Sequence, residues 1–197
     1  MEKNKAKKPT WNPTLGKQKL SALLEKLAIE KADYVLVGDG SGSQRHLPSG
    51  WYCTLIDIAN RERLQFFGSI NRCSINFAEL MAYFAPLAEI LSRVLEERKN
   101  NGGKIEFRHV HIVTDSEYVQ RASERKSART ANMMIWDAIE MMKRQGLLVH
   151  WHWLKRETSE LNSLADVCSK MARASNIRLG KVFEEELYQP RNYNQDG

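Results

Sequence analysis

Apolar positions divide the chain into a group of short extended segments followed by alternating helical and extended ones. Residues 33–39, 50–58 and 63–70 each carry β-branched and aromatic residues in runs of strand length. Gly, Ser and Pro fill the first connection and Asn60-Arg61-Glu62 the second, links short enough for an antiparallel meander. From Ile75 to Lys99 the period changes: Phe77, Leu80, Met81, Phe84, Leu87, Ala88, Leu91 and Leu95 recur at helical spacing before Asn100-Asn101-Gly102-Gly103. Pro86 is expected to bend or split this helix. A strand over 107–114, a short helix over 116–123, a Met-rich amphipathic helix over 129–145, a strand over 147–154 and a helix over 159–176 complete the pattern. Ahead of the first strand, Leu20, Leu23, Leu24 and Leu27 form one stripe of a helix expected over 17–30. The order β-β-β-α-β-α-α-β-α predicts an α/β fold: a five-stranded mixed sheet, three antiparallel strands and then parallel ones, flanked by helices.

Composition narrows the class. A chain of 197 residues with 42% hydrophobic content can bury a sizeable core, so one compact domain with tails is expected. No stretch approaches the roughly 18 uninterrupted apolar residues of a membrane helix, and the lysine-rich start leads into no apolar signal region. A cytoplasmic protein without membrane partners is therefore expected. Cys53, Cys73 and Cys168 form neither a paired framework nor a zinc-type cluster by spacing, which fits reduced thiols. The formal net charge of +6 suits a polyanionic partner without identifying one.

Four carboxylates stand where a charge is costly. Asp39 ends the apolar run that begins at Tyr34, Asp115 ends Val110-His111-Ile112-Val113-Thr114, and Glu79 and Asp166 lie within apolar helical stretches. A carboxylate at a strand end or on an inward helix face loses hydration unless a cation or donor compensates it. Four that converge would suit hard divalent cations and metal-assisted phosphoryl chemistry. Singly, each has an ordinary reading: Asp39 in a turn, Asp115 as a helix cap, Asp166 solvated, Glu79 paired with an arginine.

The segments Val37-Gly38-Asp39-Gly40-Ser41, Ser74-Ile75-Asn76-Phe77-Ala78-Glu79-Leu80-Met81-Ala82, Val113-Thr114-Asp115-Ser116-Glu117-Tyr118-Val119 and Asn162-Ser163-Leu164-Ala165-Asp166 resemble, in order and spacing, those of type 1 ribonuclease H. The resemblance spans roughly residues 33–175. It implies an endonuclease that hydrolyses the RNA strand of RNA–DNA hybrids with two magnesium or manganese ions. Asp39 would bridge both ions, Glu79 and Asp115 would hold one, and Asp166 the other. Gly40 and Ser41 would let backbone amides approach the RNA strand, Ser74 would lie near the nucleic-acid backbone, and Asn76 would read the 2′-hydroxyl in the minor groove. Ser74 and Asn76 read equally well as caps of the helix that follows. Asn162 matches a position near the active site and reads equally as a solvent-facing helical residue. The domain boundaries that follow are 1–32 for a basic tail plus amphipathic helix, 33–178 for the ribonuclease H-like domain, and 179–197 for a polar, acidic tail. A monomer is expected.

Two departures from the family pattern stand out. The stretch Trp153-Leu154-Lys155-Arg156-Glu157-Thr158-Ser159-Glu160-Leu161 has no histidine where many bacterial members carry one, and resembles the Arg-Glu version of other branches. Arg156 would neutralise phosphate charge and Glu157 would exchange protons, unless the pair is only a solvated helix start. His150 and His152 share one face of a strand, where packing or a surface role is the expected reading. The second departure is the absence of the basic handle: only twelve residues join Gln120 to Met133. Within them Arg121, Arg125, Lys126 and Arg129 would contact phosphates in a reduced form of that device, or form a solvated connection. Trp51, Trp136, Trp151 and Trp153 are expected in the core or on a sheet face. Two other functions fit the same residues: a nuclease of this fold acting on another nucleic acid, or a catalytically inactive module that only binds one.

Overall fold

The computed structural model describes residues 13–42, 47–125, 129, 131–155, 158–175 and 179–183. Its elements run α1 (Pro13–Lys26), β1 (Tyr34–Ser41), β2 (Ser49–Asp57), β3 (Glu62–Ile70), α2 (Ile75–Asn100), β4 (Arg108–Thr114), α3 (Glu117–Glu124), α4 (Met133–Arg144), β5 (Leu147–Trp153), α5 (Glu160–Ser175) and β6 (Gly180–Phe183). They form one six-stranded sheet in the order β5-β4-β1-β2-β3-β6. β1, β2 and β3 make the antiparallel meander, while β4 and β5 run parallel to β1.

The sheet has one strand more than the five expected. β6 pairs antiparallel with β3, from Leu64↔Phe183 to Phe67↔Gly180. It falls where the sequence reads as the start of a tail, because a four-residue edge strand needs little local signal beyond a free edge to pair with. Two helices also depart from expectation. α1 starts at Pro13, a first-turn position that suits proline, and ends at Lys26 because Ala28 turns to φ 50. α2 runs unbroken through Pro86, which is buried.

Alternation along β1 feeds two cores. Tyr34 and Leu36 join Trp51, Leu80, Tyr83, Leu87 and Ile112 on the face covered by α2, with α4 beyond. Val35 and Val37 join Val113, Leu154, Leu161 and Leu23 on the opposite face, where α5 lies across β1, β2 and β3. The stripe of α1 packs there too: Leu23 is buried, with Leu20, Leu24 and Leu27 beside it. Among the described residues no helix is long and apolar enough to cross a membrane.

Candidate active site

The parallel register of β1 and β4 places Asp39 and Asp115 together. Val37 lies opposite Val113, so the same offset sets Asp39 level with Asp115, just past the end of β4. Asp39 is buried and Asp115 half-buried. Beneath them, the Tyr83 hydroxyl donates to the Gly38 carbonyl at 2.7 Å and lies 3.2 Å from that of Val113. Burial pushes this phenol well above its usual pKa, with further upward push from Asp39 and Asp115, so it remains a donor. Tyr83 sits one turn after Glu79 on α2, and one helix therefore carries an acid and the clamp for two others.

Glu79 reaches the same edge because β1 and α2 touch at backbone level. A β-carbon on Gly40 would lie 2.7 Å from the Ala78 carbonyl carbon and closer still to the Glu79 nitrogen. The missing side chain at Gly40 is thus required by the helix itself. Glu79 Oε2 accepts from Ser116 Oγ at 2.5 Å, and Ser116 caps α3 by accepting from the Val119 amide at 3.2 Å. Ser116 directly follows Asp115, so its two contacts tie Glu79 to the turn that carries the next acid.

Asp166 arrives on α5 from the other face of the sheet. Ser169, fully buried one turn later, donates to Asp39 Oδ2 at 2.9 Å and also lies 3.0 Å from the Asp166 carbonyl oxygen. Close approach again depends on a glycine, since a β-carbon at Gly50 would lie 2.7 Å from Arg173 Cα. The Asp166 carboxylate pairs with Lys170 at 2.6 Å, one turn on and more than half exposed. Four elements from both sheet faces therefore bring Asp39, Glu79, Asp115 and Asp166 to one edge. They stop short of a closed cage: among the described residues, the group of three metal-ligand side chains with ligand atoms within 4.8 Å of one another is His109, His111 and His150. Like-charged carboxylates gathered at one place favour a cation between them. As an all-oxygen donor set they fit magnesium or manganese and not a soft metal.

Ser74 is the N-cap of α2, accepting from the Phe77 amide at 3.2 Å, and Asn76 is half-buried in the first turn. Ser41, buried, ends β1 opposite Gly50. Asn162 is not solvent-facing: it is buried in the first turn of α5, where its amide donates to Ser159 Oγ at 3.1 Å and its Oδ1 accepts from that hydroxyl at 3.2 Å. Arg129 is committed to the fold, bonded to the Ala122 carbonyl and Glu140 and stacked 4.6 Å from the Trp136 ring centroid, so it is not a free phosphate contact. Arg121 and Arg125 are exposed, and Arg156, Glu157 and Lys126 lie outside the described residues. Trp51 and Trp136 are buried and Trp151 is half-buried, whereas Trp153 is exposed at the acidic edge with Nε1 donating to the Asp115 carbonyl at 3.2 Å. Tyr83, Ser116 and Ser169 carry little mark in the sequence: the one signal each offers is a polar group on the inward side of a helix or at its cap.

An antiparallel meander continued by parallel strands, with acids at the ends of β1 and β4 and on helices from both faces, defines a ribonuclease H-like fold. Solved structures bear this out. The N-terminal ribonuclease H domain of Rv2228c from Mycobacterium tuberculosis, solved as a fusion with maltose-binding protein, superposes with a TM-score of 0.54 at 17% identity, covering 74% of this chain and 96% of that one. LC11-RNase H1, isolated from compost by a metagenomic approach, gives 0.55 at 17% identity, covering 74% and 98%. The crystal structure of LC11-RNase H1 in complex with an RNA/DNA hybrid gives 0.54 at 16%, covering 72% and 97%. No family model matches the sequence. No curated protein matches it either.

Proposed function

We propose that this chain is a metal-dependent endonuclease that hydrolyses the RNA strand of RNA–DNA hybrids. The observation that carries the reading is the pairing of Asp39 and Asp115 at the ends of adjacent parallel strands, with Glu79 and Asp166 delivered by helices from opposite faces. Similarity to LC11-RNase H1, which was crystallised with an RNA/DNA hybrid, supports the substrate.

Asp39, Glu79, Asp115 and Asp166 would hold two magnesium or manganese ions. Such ions supply an activated water and charge stabilisation for the departing 3′ oxygen. The chain's own residues set where that chemistry falls. Tyr83 holds the strand ends level, Ser116 orients Glu79, and Ser169 orients Asp39 through Oδ2, which directs its carboxylate without neutralising it. Anchored in regular elements, the acids lose little entropy on meeting a cation. In hydrolysis the water oxygen bonds to phosphorus as the bond to the 3′ oxygen breaks, leaving a 3′-hydroxyl and a 5′-phosphate. Asn76, in the first turn of α2 and three residues before Glu79, would discriminate RNA by its 2′-hydroxyl.

The test is cleavage of labelled hybrid, duplex RNA, duplex DNA and single strands, with and without magnesium. Hybrid alone should be cut, and only with the metal. Asp39→Asn and Asp115→Asn should each abolish cleavage while the unfolding midpoint holds or rises, because like-charge repulsion is relieved. Substantial cleavage by either variant would overturn that residue's assignment, and equal cutting of duplex DNA would overturn the substrate.

A further inference from the structure

The faces of β4 and β5 that turn away from α2 and α4 carry a run of four imidazoles. His109 and His111 alternate along β4, His150 and His152 along β5, and the parallel register sets His111 beside His150. His109 Nδ1 lies 3.3 Å from His150 Nε2, the His111 and His150 ring centroids are 4.6 Å apart, and His111 Nδ1 lies 2.9 Å from His152 Nε2. His111 Nε2 is 2.9 Å from the Lys31 carbonyl oxygen. A carbonyl only accepts, so Nε2 carries the proton and Nδ1 presents a lone pair to the other rings. A ring nitrogen donating to a backbone carbonyl is how metal-binding histidines are oriented and made more basic. At the other end of the run, Asp33 Oδ2 accepts from the His109 amide at 2.7 Å and adds a nearby negative charge.

We propose that His109, His111 and His150 form a binding site for a borderline divalent transition-metal ion, zinc being the type, that ties β4 to β5. Their ligand atoms already lie within 4.8 Å of one another. Tetrahedral zinc, with bonds of about 2.0–2.1 Å, sets its nitrogens roughly 3.3 Å apart, the separation already present between His109 and His150. Binding replaces the proton shared by that pair and exchanges the His111–His152 hydrogen bond for a metal bond. His111 is buried and locked in place, while His150 is exposed and gives the ion its way in, leaving the fourth position to water. Imidazole suits zinc, copper and nickel, whereas the carboxylate edge suits magnesium and manganese, so the two sites select different ions. The inference does not depend on the nuclease reading.

Calorimetric titration of the EDTA-treated full chain with zinc, in excess magnesium at neutral pH, tests it. One zinc should bind per chain and raise the unfolding midpoint, and magnesium should not displace it. His150→Gln and His109→Gln should each weaken zinc binding by at least about 10-fold. Asp39→Asn should leave zinc affinity unchanged. His150 is exposed, so its variant should unfold at the wild-type temperature when metal-free, which separates lost ligation from lost fold. Absence of zinc binding by the wild type, wild-type affinity in both histidine variants, or loss of zinc in Asp39→Asn would each overturn the assignment.

Discussion

The single proton of the Tyr83 phenol faces two strand carbonyls, Gly38 at 2.7 Å and Val113 at 3.2 Å, and those strands carry Asp39 and Asp115. Its ring is held edge-on to Trp151 at a centroid distance of 5.8 Å, so the ring keeps its place without the hydroxyl. Tyr83→Phe should therefore fold, losing about 1–2 kcal/mol of stability as the buried carbonyls lose their donor. Strand ends no longer pinned together should misplace the acids, and single-turnover cleavage of hybrid should slow by about 10-fold with hybrid affinity unchanged. Wild-type cleavage in a measurably destabilised variant would confine Tyr83 to a structural role. Gly40 makes the related point about backbone. A β-carbon there would meet the α2 backbone at Ala78 and Glu79, so strand and helix come this close only because the residue is glycine.

At the scale of elements, α2 delivers Glu79 and Tyr83 in one register, and its start fixes that register. Ser74 caps it through the Phe77 amide. Ser74→Ala should cost about 1 kcal/mol, and Ser74→Asp should restore the loss because an anion suits both the cap and the helix dipole. The two roles assigned to Ser74 diverge here. If its hydroxyl also faces a phosphate, Ser74→Asp should bind hybrid more weakly than wild type despite its recovered stability; equal binding would leave Ser74 a cap and nothing more. Chemical denaturation and hybrid titration measure the two effects separately. Among the described basic residues between Gln120 and Met133, the Arg129 guanidinium is taken up by Trp136 and Glu140.

For the whole molecule, the four-histidine run links stability to pH. Burial pushes His111 down to about 4 from its usual 6.5; the Lys31 carbonyl offsets this in part, and His150, His152 and His109 add to it. Burial lowers His150 and His152 as well, each with a neighbouring imidazole contributing. A depressed histidine means that the unfolded chain binds protons the folded chain refuses, so folding weakens as pH falls. In EDTA-treated protein the unfolding midpoint should be level above pH 6.5 and should decline between pH 6.5 and about 4. His111→Gln should flatten that decline. Thermal unfolding across the range is the check, and an unchanged profile in the variant would place the responsible groups elsewhere.

The sequence by itself determined the first five strands and the order of the helices among them. The apolar run over 33–39, the helical period from Ile75 to Lys99, and the acids closing the runs at Asp39 and Asp115 are written locally, because apolar residues recur with the period of the backbone. A sixth strand, the unbroken passage of α2 through Pro86 and the inward setting of Asn162 were decided by tertiary neighbours. The same holds for the groups that aim the acids. Ser169 and Asp39 are 130 residues apart, Tyr83 and Gly38 are 45, and His111 and His152 are 41. A hydroxyl or an imidazole carries no mark of the partner it will meet; strand order and helix packing choose that partner, so clamp and histidine cluster exist only once the chain has folded.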